Sequence, residues 1–467
     1  MAEPFAHWHD RVNQDWLVGI DKQQGQDWIE IRLHEIWLYQ TRSRQLPTIL
    51  LVEADPERFL AGFVAACSAG CPLVLGAADW GAAERRQALQ QIQPDLIWGW
   101  DTALHNLEPE SKHLSVDRRL QPGWILIPTG GSSGQIRFAI HTWTTLTASV
   151  QGFQQYFQVK SIHSCCVLPL YHVSGLMQFI RSFLSGGTFA LLPTKAIDVA
   201  MNGLDPADFF LSLVPTQLQR LLHRSNSSGA IAWLRRFRTV LLGGAPAWPE
   251  LLETARNQQI RLAPTYGMTE TASQVATLKP DEFLQGKTGC GLVLPHAQIR
   301  ILDGMGRSLQ PLQPGTIAIQ TTSLMLGYHP GNGTVDTLIT DDVGFFDRDG
   351  YLHIVGRNSH KIITGGENVF PAEVEAAIRS TQLVRDVCVL GLPDPDWGEV
   401  VTAVYVPTSD DVTIADLQTA IEAELGKVKR PKRWLKLAQL PRSGQGKVNY
   451  AQLKQLCLNN HARQPSR

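Results

Sequence analysis

The hydrophobic positions of this chain come in two rhythms. Short uninterrupted apolar runs, Thr48–Val52, Leu96–Trp100, Trp124–Ile127, Cys165–Leu168, Phe189–Leu192 and Thr239–Leu242, are each bounded by turn-forming residues. Runs of this length predict strands buried on both faces. Longer segments lie between them, with helices predicted from Pro56 to about Gly70, Ala82–Gln91 and Leu176–Leu184. Strands alternating with helices predict an α/β fold with a substantially parallel sheet. Phe59 to Ala78 has no charged residue over twenty positions and imitates a membrane span. Pro72 and glycines at 62, 70 and 76 interrupt it, so it reads as a helix followed by a strand at Pro72–Leu75. Asn226–Gly229 reads as a loop between helices. The pattern changes late in the chain. A helix at Pro371–Ser380, strands at Val387–Leu392 and Val400–Val406, and a helix at Ile414–Leu425 suggest a smaller α+β unit.

At 467 residues the chain is too long for one core and fits two to four domains or subdomains. Its net charge of −1 argues against a general nucleic-acid binder. The cysteines 67, 71, 165, 166, 290, 388 and 457 have no zinc spacing, and their odd number suits a reducing compartment. With no signal-like N-terminus, a soluble cytoplasmic protein is expected.

Candidate chemistry sits where apolar runs end. After Trp124–Ile127 comes Thr129-Gly130-Gly131-Ser132-Ser133-Gly134, followed by Arg137. Glycines let backbone N–H groups converge, and hydroxyls add rotatable donors. Such a loop suits phosphates, although a surface turn is the competing reading and the Walker lysine is missing. His172 and Ser174 follow the strand at 165–168. Arg181 lies two helical turns beyond Ser174, where it either snorkels to solvent or meets a carboxylate. Thr239–Leu242 runs into Gly243-Gly244-Ala245, an exit that lets a flat ligand approach the backbone. Tyr266-Gly267-Met268-Thr269-Glu270 then combines a ring for stacking, a hydroxyl and a carboxylate able to hold a divalent cation.

TGGSSG, PLYHVSGL, GGAP, YGMTETAS, ITDDVGFFDRDGYLHIVGR, GGENVFPAEVE and PRSGQGK occur in that order. In this the chain resembles the adenylate-forming superfamily of acyl-CoA synthetases, aryl-CoA ligases, luciferases and adenylation domains, over roughly residues 120–450. It looks most like the o-succinylbenzoate–CoA ligase branch, which serves menaquinone or phylloquinone synthesis. The resemblance implies a large N-terminal domain of layered sheets and helices (1–356) and a small mobile α+β domain (357–467), pivoting at His360. It implies ATP, Mg²⁺ and CoA, with a carboxylic acid converted to an acyl-adenylate and then a thioester. Another aryl or medium-chain acid, or a carrier-protein thiol, remains the alternative.

By the same resemblance Thr129–Gly134 and Arg137 hold pyrophosphate. Gly243, Gly244, Ala245 and Tyr266-Gly267 flank adenine, and Asp342 accepts from the ribose. Thr269 meets the α-phosphate, Glu270 holds magnesium, Arg357 binds ribose and phosphate, and Lys447 bridges carboxylate and α-phosphate. His172, Ser174 and Arg181 line the acid pocket. The chain departs from the family pattern at Gln135, Ile136 and Phe138 in the loop, at Trp143 after it, at Asp341 and at His360. The run Lys427–Lys436 holds six basic residues in ten, either a solvated face or a site for CoA phosphates.

Overall fold

The computed structural model describes residues 3–11, 13–100, 120–129, 136–192, 205–223, 227–331, 334–422, 424–442 and 448–461. Two parallel-rich sheets enclose a layer of helices. One runs in the order Gly327–His329, Arg137–His141, Ile125–Thr129, Leu73–Leu75, Ile49–Leu51, Leu96–Trp98. The other has Phe189–Leu191, His163–Cys166, Phe209–Leu213, Thr239–Leu242 and Leu262–Met268 side by side, all parallel. It continues antiparallel into Ser273–Thr277.

Period-two alternation sorts each strand between layers. Ile49 and Leu51 face the inner core, while Leu50 and Val52 face the outer one. On the second sheet Cys166, Phe210 and Leu241 point inward, and Cys165, Leu211 and Val240 pack on outer helices. Between the sheets lie the helices Pro56–Ala69, Trp143–Phe157 and Val173–Ser185. The first is capped by the Asp55 carboxylate on Arg58 N (2.9 Å) and ends at left-handed Gly70. Its residues 59–66 are all buried, which explains the charge-free stretch: both sides of the helix meet apolar layers. Truncating Phe63 in that layer would cost about 3–5 kcal/mol.

The remaining sheets are antiparallel. One orders Ala297–Leu302, Gly315–Thr321, Leu338–Phe346 and Leu352–Arg357. After a 3₁₀ turn at Asn358–His360, the last sheet orders Glu367–Val369, Ile362–Thr364, Gly398–Pro407 and Val384–Asp394, with Arg433–Lys436 parallel to Gly398–Pro407. It packs on the helix Pro371–Ser380 around its own core of Val374, Ile378, Val387 and Val401.

Two expectations need correction. Ser227–Gly229 opens the helix Ser227–Arg236 instead of forming a loop. The helix beginning at Ile414 stops at Ala420. The basic run lies at the surface, with Lys427, Lys432 and Lys436 exposed, and Lys429, Arg430, Arg433 and Lys436 pair there with Glu373, Glu422, Asp394 and Asp410, in keeping with the solvated-face reading.

Candidate active site

The site is built around one irregular hairpin. Leu262–Met268 and Ser273–Thr277 pair antiparallel, with a register shift between Tyr266 and Gly267. A Cβ at Gly267 would stand 2.2 Å from Ser273 O, so only glycine lets the strands close there. The connection Thr269–Thr271 is a 3₁₀ turn, and Ala272 (φ 49°) and Ser273 (φ 105°) are both left-handed. Backbone strain of this kind, about 1–3 kcal/mol per residue, persists only where surrounding bonds impose it. Here the Thr271 hydroxyl donates to Ser273 O (2.7 Å) and the Ser149 hydroxyl to Ala272 O (2.8 Å).

Three clusters meet this hairpin. In the first, the Tyr266 hydroxyl donates to Asp342 Oδ2 (2.7 Å), and Arg357 Nε lies 3.3 Å from Asp342 Oδ1. Asp342 and Arg357 are cross-strand partners, so sheet register makes this pair. Burial, then the Asp342 charge, raises the Tyr266 pKa, keeping the phenol protonated as a donor. Next to it, Asp341 accepts from the Ser359 amide (3.0 Å) and hydroxyl, tying the 358–360 turn down. The His360 ring lies 4.3 Å from that of Tyr450, tilted by 31°, and burial followed by the Arg357 charge lowers its pKa.

In the second cluster, the Tyr328 hydroxyl donates to Glu270 Oε1 (2.6 Å), and the Arg137 guanidinium lies 3.8 Å from the Tyr328 ring centroid. Strands Ile125–Thr129 and Arg137–His141 pair through Thr129↔Arg137, which makes Thr129 and Arg137 the two feet of the glycine–hydroxyl loop. Both strands touch the Thr269–Thr271 turn. Beneath them His141, fully buried, bridges Thr269 O (Nε2, 2.8 Å) and the Thr145 hydroxyl (Nδ1, 3.0 Å). A carbonyl only accepts, so Nε2 carries the proton and the ring is neutral; burial lowers its pKa to about 4.

The third cluster is buried deeper. Arg181 is only 3% exposed, which removes the snorkelling reading. Its Nη2 donates to Ser273 Oγ (2.9 Å) and Gln274 Oε1 (3.1 Å), and its Cζ lies 4.3 Å from the Phe153 centroid. Among the described residues its Nε has no partner, and neither does either ring nitrogen of His296. His296 packs so closely on Gly152 that a Cβ there would fall 1.9 Å from Nδ1. Burial, then the Arg181 charge, lowers the His296 pKa to about 4.

The other expected residues fall as follows. Ser174 is exposed in the first turn of Val173–Ser185, two turns from Arg181, and His172 caps that helix with its ring 4.2 Å from Tyr171. Gly243 abuts Thr265 Oγ1 and Gly244 is left-handed (φ 81°), with Ala245 exposed beside them. Gly130, Gly131, Ser132, Ser133, Gly134 and Lys447 lie outside the described residues. Sequence reading missed His141, Tyr328 and His296. Tyr328 is 58 residues from Glu270 and carries no local signal; His141 had one, its place at a strand end beside Thr142-Trp143.

The family of AMP-binding enzymes matches residues 47–329, and the C-terminal domain of AMP-binding enzymes matches residues 373–447. A 2-succinylbenzoate–CoA ligase of Enterococcus faecalis is 32% identical over 79% of this chain and 76% of that protein. Another from Geobacillus sp. is 36% identical over 71% of this chain and 68% of that protein. Among solved structures, the o-succinylbenzoate CoA synthetase of Bacillus subtilis with its acyl-adenylate intermediate has a TM-score of 0.82 at 22% identity, covering 97% of this chain and 98% of that one. Its complex with ATP and magnesium has a TM-score of 0.82 at 24% identity, with the same coverage. At these identities the structural likeness speaks for the fold.

Proposed function

This chain belongs to the AMP-binding enzyme family, and from that premise we propose that it is an AMP-forming ligase joining 2-succinylbenzoate to CoA. The supporting relatives are the two ligases of that name. The observation that carries the reading is the convergence on one strained hairpin of Asp342–Tyr266–Arg357, Glu270–Tyr328–Arg137 and buried Arg181.

The reaction has two displacements. A substrate carboxylate oxygen attacks the α-phosphorus of ATP, the bond to the β-phosphate oxygen breaks, and pyrophosphate leaves. The CoA sulfur then attacks the acyl carbon, the bond to the adenylate oxygen breaks, and AMP leaves with the thioester formed. A carboxylate is already a nucleophile, so the first step needs charge stabilisation more than a base. Gly243, Gly244, Ala245, Tyr266 and Gly267 flank adenine. Asp342 has acceptor capacity beyond its bonds to Tyr266 and Arg357, enough for ribose hydroxyls. Thr129–Gly134 and Arg137 receive pyrophosphate, Thr269 the α-phosphate, and Lys447 both the carboxylate and the α-phosphate.

Glu270 suits Mg²⁺. It is a hard oxygen donor with Oε2 left over from its Tyr328 bond. Among the described residues no group of three or more His, Cys, Asp and Glu could hold a metal. A single carboxylate fits an ion that takes its other ligands from phosphates and water, and which would neutralise phosphate charge.

Arg181 is the counter-ion for the carboxylate that is not activated, with His172 and Ser174 nearer the surface. Residues 1–356 and 357–467 act as the large and small domains, the latter turning about His360 between half-reactions. No helix among the described residues is long and apolar enough to cross a membrane, and the enzyme works in the cytoplasm, in menaquinone or phylloquinone formation.

The test is mass spectrometry of products formed from MgATP, CoA and a panel of 2-succinylbenzoate, benzoate, 4-coumarate and octanoate. A thioester of 2-succinylbenzoate is expected. A thioester of another acid alone would overturn the substrate, AMP without thioester would point to a carrier-protein thiol, and no ATP turnover would refute the activity.

A further inference from the structure

The turn Thr269–Thr271 carries both side chains proposed above for the α-phosphate and the magnesium ion, so whatever fixes its backbone bears on the chemistry. All three of its carbonyls are held. Thr269 O accepts from Ala272 N (3.1 Å) and His141 Nε2 (2.8 Å), Glu270 O from Met325 N (2.8 Å), and Thr271 O from the Ser323 hydroxyl (2.8 Å). Thr271 is fully buried, whereas Thr269 and Glu270 stay part-exposed.

Two of these donors, with Tyr328, belong to one two-stranded unit. Arg137–His141 and Gly327–His329 pair antiparallel, with Ala139 opposite Tyr328. Leu326 N donates to Ile140 O (2.8 Å), which carries the pairing on toward Met325. The unit grips the turn at three points: His141 on Thr269 O, Met325 N on Glu270 O, and the Tyr328 hydroxyl on Glu270 Oε1 (2.6 Å). Its far end is Arg137, paired with Thr129 at the base of the glycine–hydroxyl loop. The loop's feet and the turn are thereby parts of one hydrogen-bonded assembly.

Met325 acts through its backbone, and Tyr328 holds the Glu270 carboxylate itself. His141 is the side chain that holds the turn's backbone from within this unit. It is 0% exposed, and both ring nitrogens are engaged, Nδ1 with the Thr145 hydroxyl (3.0 Å) and Nε2 with a carbonyl 128 residues away. Thr145 is itself fixed in the cap of the helix Trp143–Phe157, where its Oγ1 accepts from Thr142 N (3.0 Å), so the ring cannot turn without breaking two bonds. Magnitudes separate packing from positioning. A buried hydrogen bond adds only about 0.5–1.5 kcal/mol of stability, whereas misplacing a reacting group by about 1 Å costs about 100-fold in rate.

We propose that His141 is a positioning residue for acyl-adenylate formation: it ties the Thr269–Glu270 backbone to the strand that starts at Arg137, and so sets the α-phosphate and magnesium groups against those that receive pyrophosphate. The role rests on the ligase reading above. Thr269 O keeps its bond to Ala272 N without His141, so the turn still forms but is free to shift against the loop. The effect falls on kcat of the first half-reaction and not on KM for the acid, because the bonds of His141 run to Thr269 and Thr145 and not to the Arg181 cluster.

Pyrophosphate release, with whichever acid the wild type activates, and thermal unfolding are measured for four variants. His141→Leu fills the space and loses both bonds, and His141→Gln offers an amide N–H and a carbonyl in their place. Thr145→Val keeps the donor but frees the ring. Tyr156→Phe is the control: it removes a buried bond from the same helix to Thr277 O, on the strand beyond the turn. His141→Leu is expected to lower kcat about 30–100-fold, with KM for the acid changed by less than about threefold. His141→Gln should recover to within about fivefold of wild type, and Thr145→Val should lose about tenfold. Tyr156→Phe should lower the unfolding temperature about as much as His141→Leu while keeping kcat within about threefold. A kcat within about threefold of wild type in His141→Leu, an equal loss in Tyr156→Phe, or His141→Gln as slow as His141→Leu would each overturn the role. An unchanged kcat in Thr145→Val would overturn it even if His141→Leu did not fold. A wild type that forms no adenylate from any acid would remove the ligase reading and this role with it.

Discussion

The two halves of the site handle burial differently. On the side proposed for the nucleotide, Asp342, Glu270 and His141 each already hold partners: Tyr266 and Arg357, Tyr328, and Thr269 with Thr145. On the side proposed for the acid, Arg181 and His296 are buried with nitrogens that no described residue satisfies. An unmet buried donor costs about 1–3 kcal/mol, more when charged. The contrast teaches where specificity resides. Paired groups preorganise a site for a ligand common to many enzymes, whereas a buried cation bonded only to neutral groups among the described residues favours a ligand that brings an anion to it.

The largest effect expected is at Glu270. Glu270→Ala should lower kcat for adenylate formation about 10²–10³-fold, read by pyrophosphate release, with little loss of stability. An effect below about tenfold would remove Glu270 from the metal role.

Acid pH attacks both halves. His141 and His296 are held neutral in the fold at about 4, below the 6.5 of an unfolded histidine. Between those values the unfolded state binds more protons, so stability rises with pH across the window and is lost as pH falls from 6.5 toward 4. Each contributes about 3 kcal/mol at most. Thermal unfolding across this window should show the slope, and His141→Gln or His296→Gln should each flatten it. A slope unchanged in both variants would place the acid sensitivity elsewhere.

Arg181→Met should raise KM for 2-succinylbenzoate about 100-fold while changing turnover of a monocarboxylate by less than about threefold. Equal changes for both acids would make Arg181 a packing residue. The smallest effect is at Tyr328. Tyr328→Phe keeps the ring under Arg137 but loses the bond to Glu270, and should raise the Mg²⁺ concentration for half-maximal activity about tenfold. Unaltered Mg²⁺ dependence would separate Tyr328 from the metal site.

Much of this was legible locally. Thr239–Leu242 and Ile125–Thr129 are strands because their apolar runs fill two opposed cores, and Pro56–Ala69 ends where Gly70 permits a left-handed turn. Tyr266, Thr269 and Glu270 stood out because unlike chemistries crowd into five residues. His296 did not, because a lone histidine acquires meaning only from Gly152 and Arg181 beside it. The basic run 427–436 could be read as a surface from its composition, but its carboxylate partners Glu373 and Asp394 are distant in sequence and only the fold names them.

The sequence by itself determined the alternation of strands and helices, the capped and charge-free central helix, and the strand ends at which the candidate residues gather. Those properties depend on neighbours one to four residues apart, which is the range of periodicity, capping and turn chemistry. Only the tertiary structure decided that Arg137 rests on Tyr328, that Tyr328 holds Glu270, and that Arg181 lies buried beside Ser273 and Gln274. Each of those contacts joins residues far apart in the chain, brought together by sheet register and by the stacking of layers.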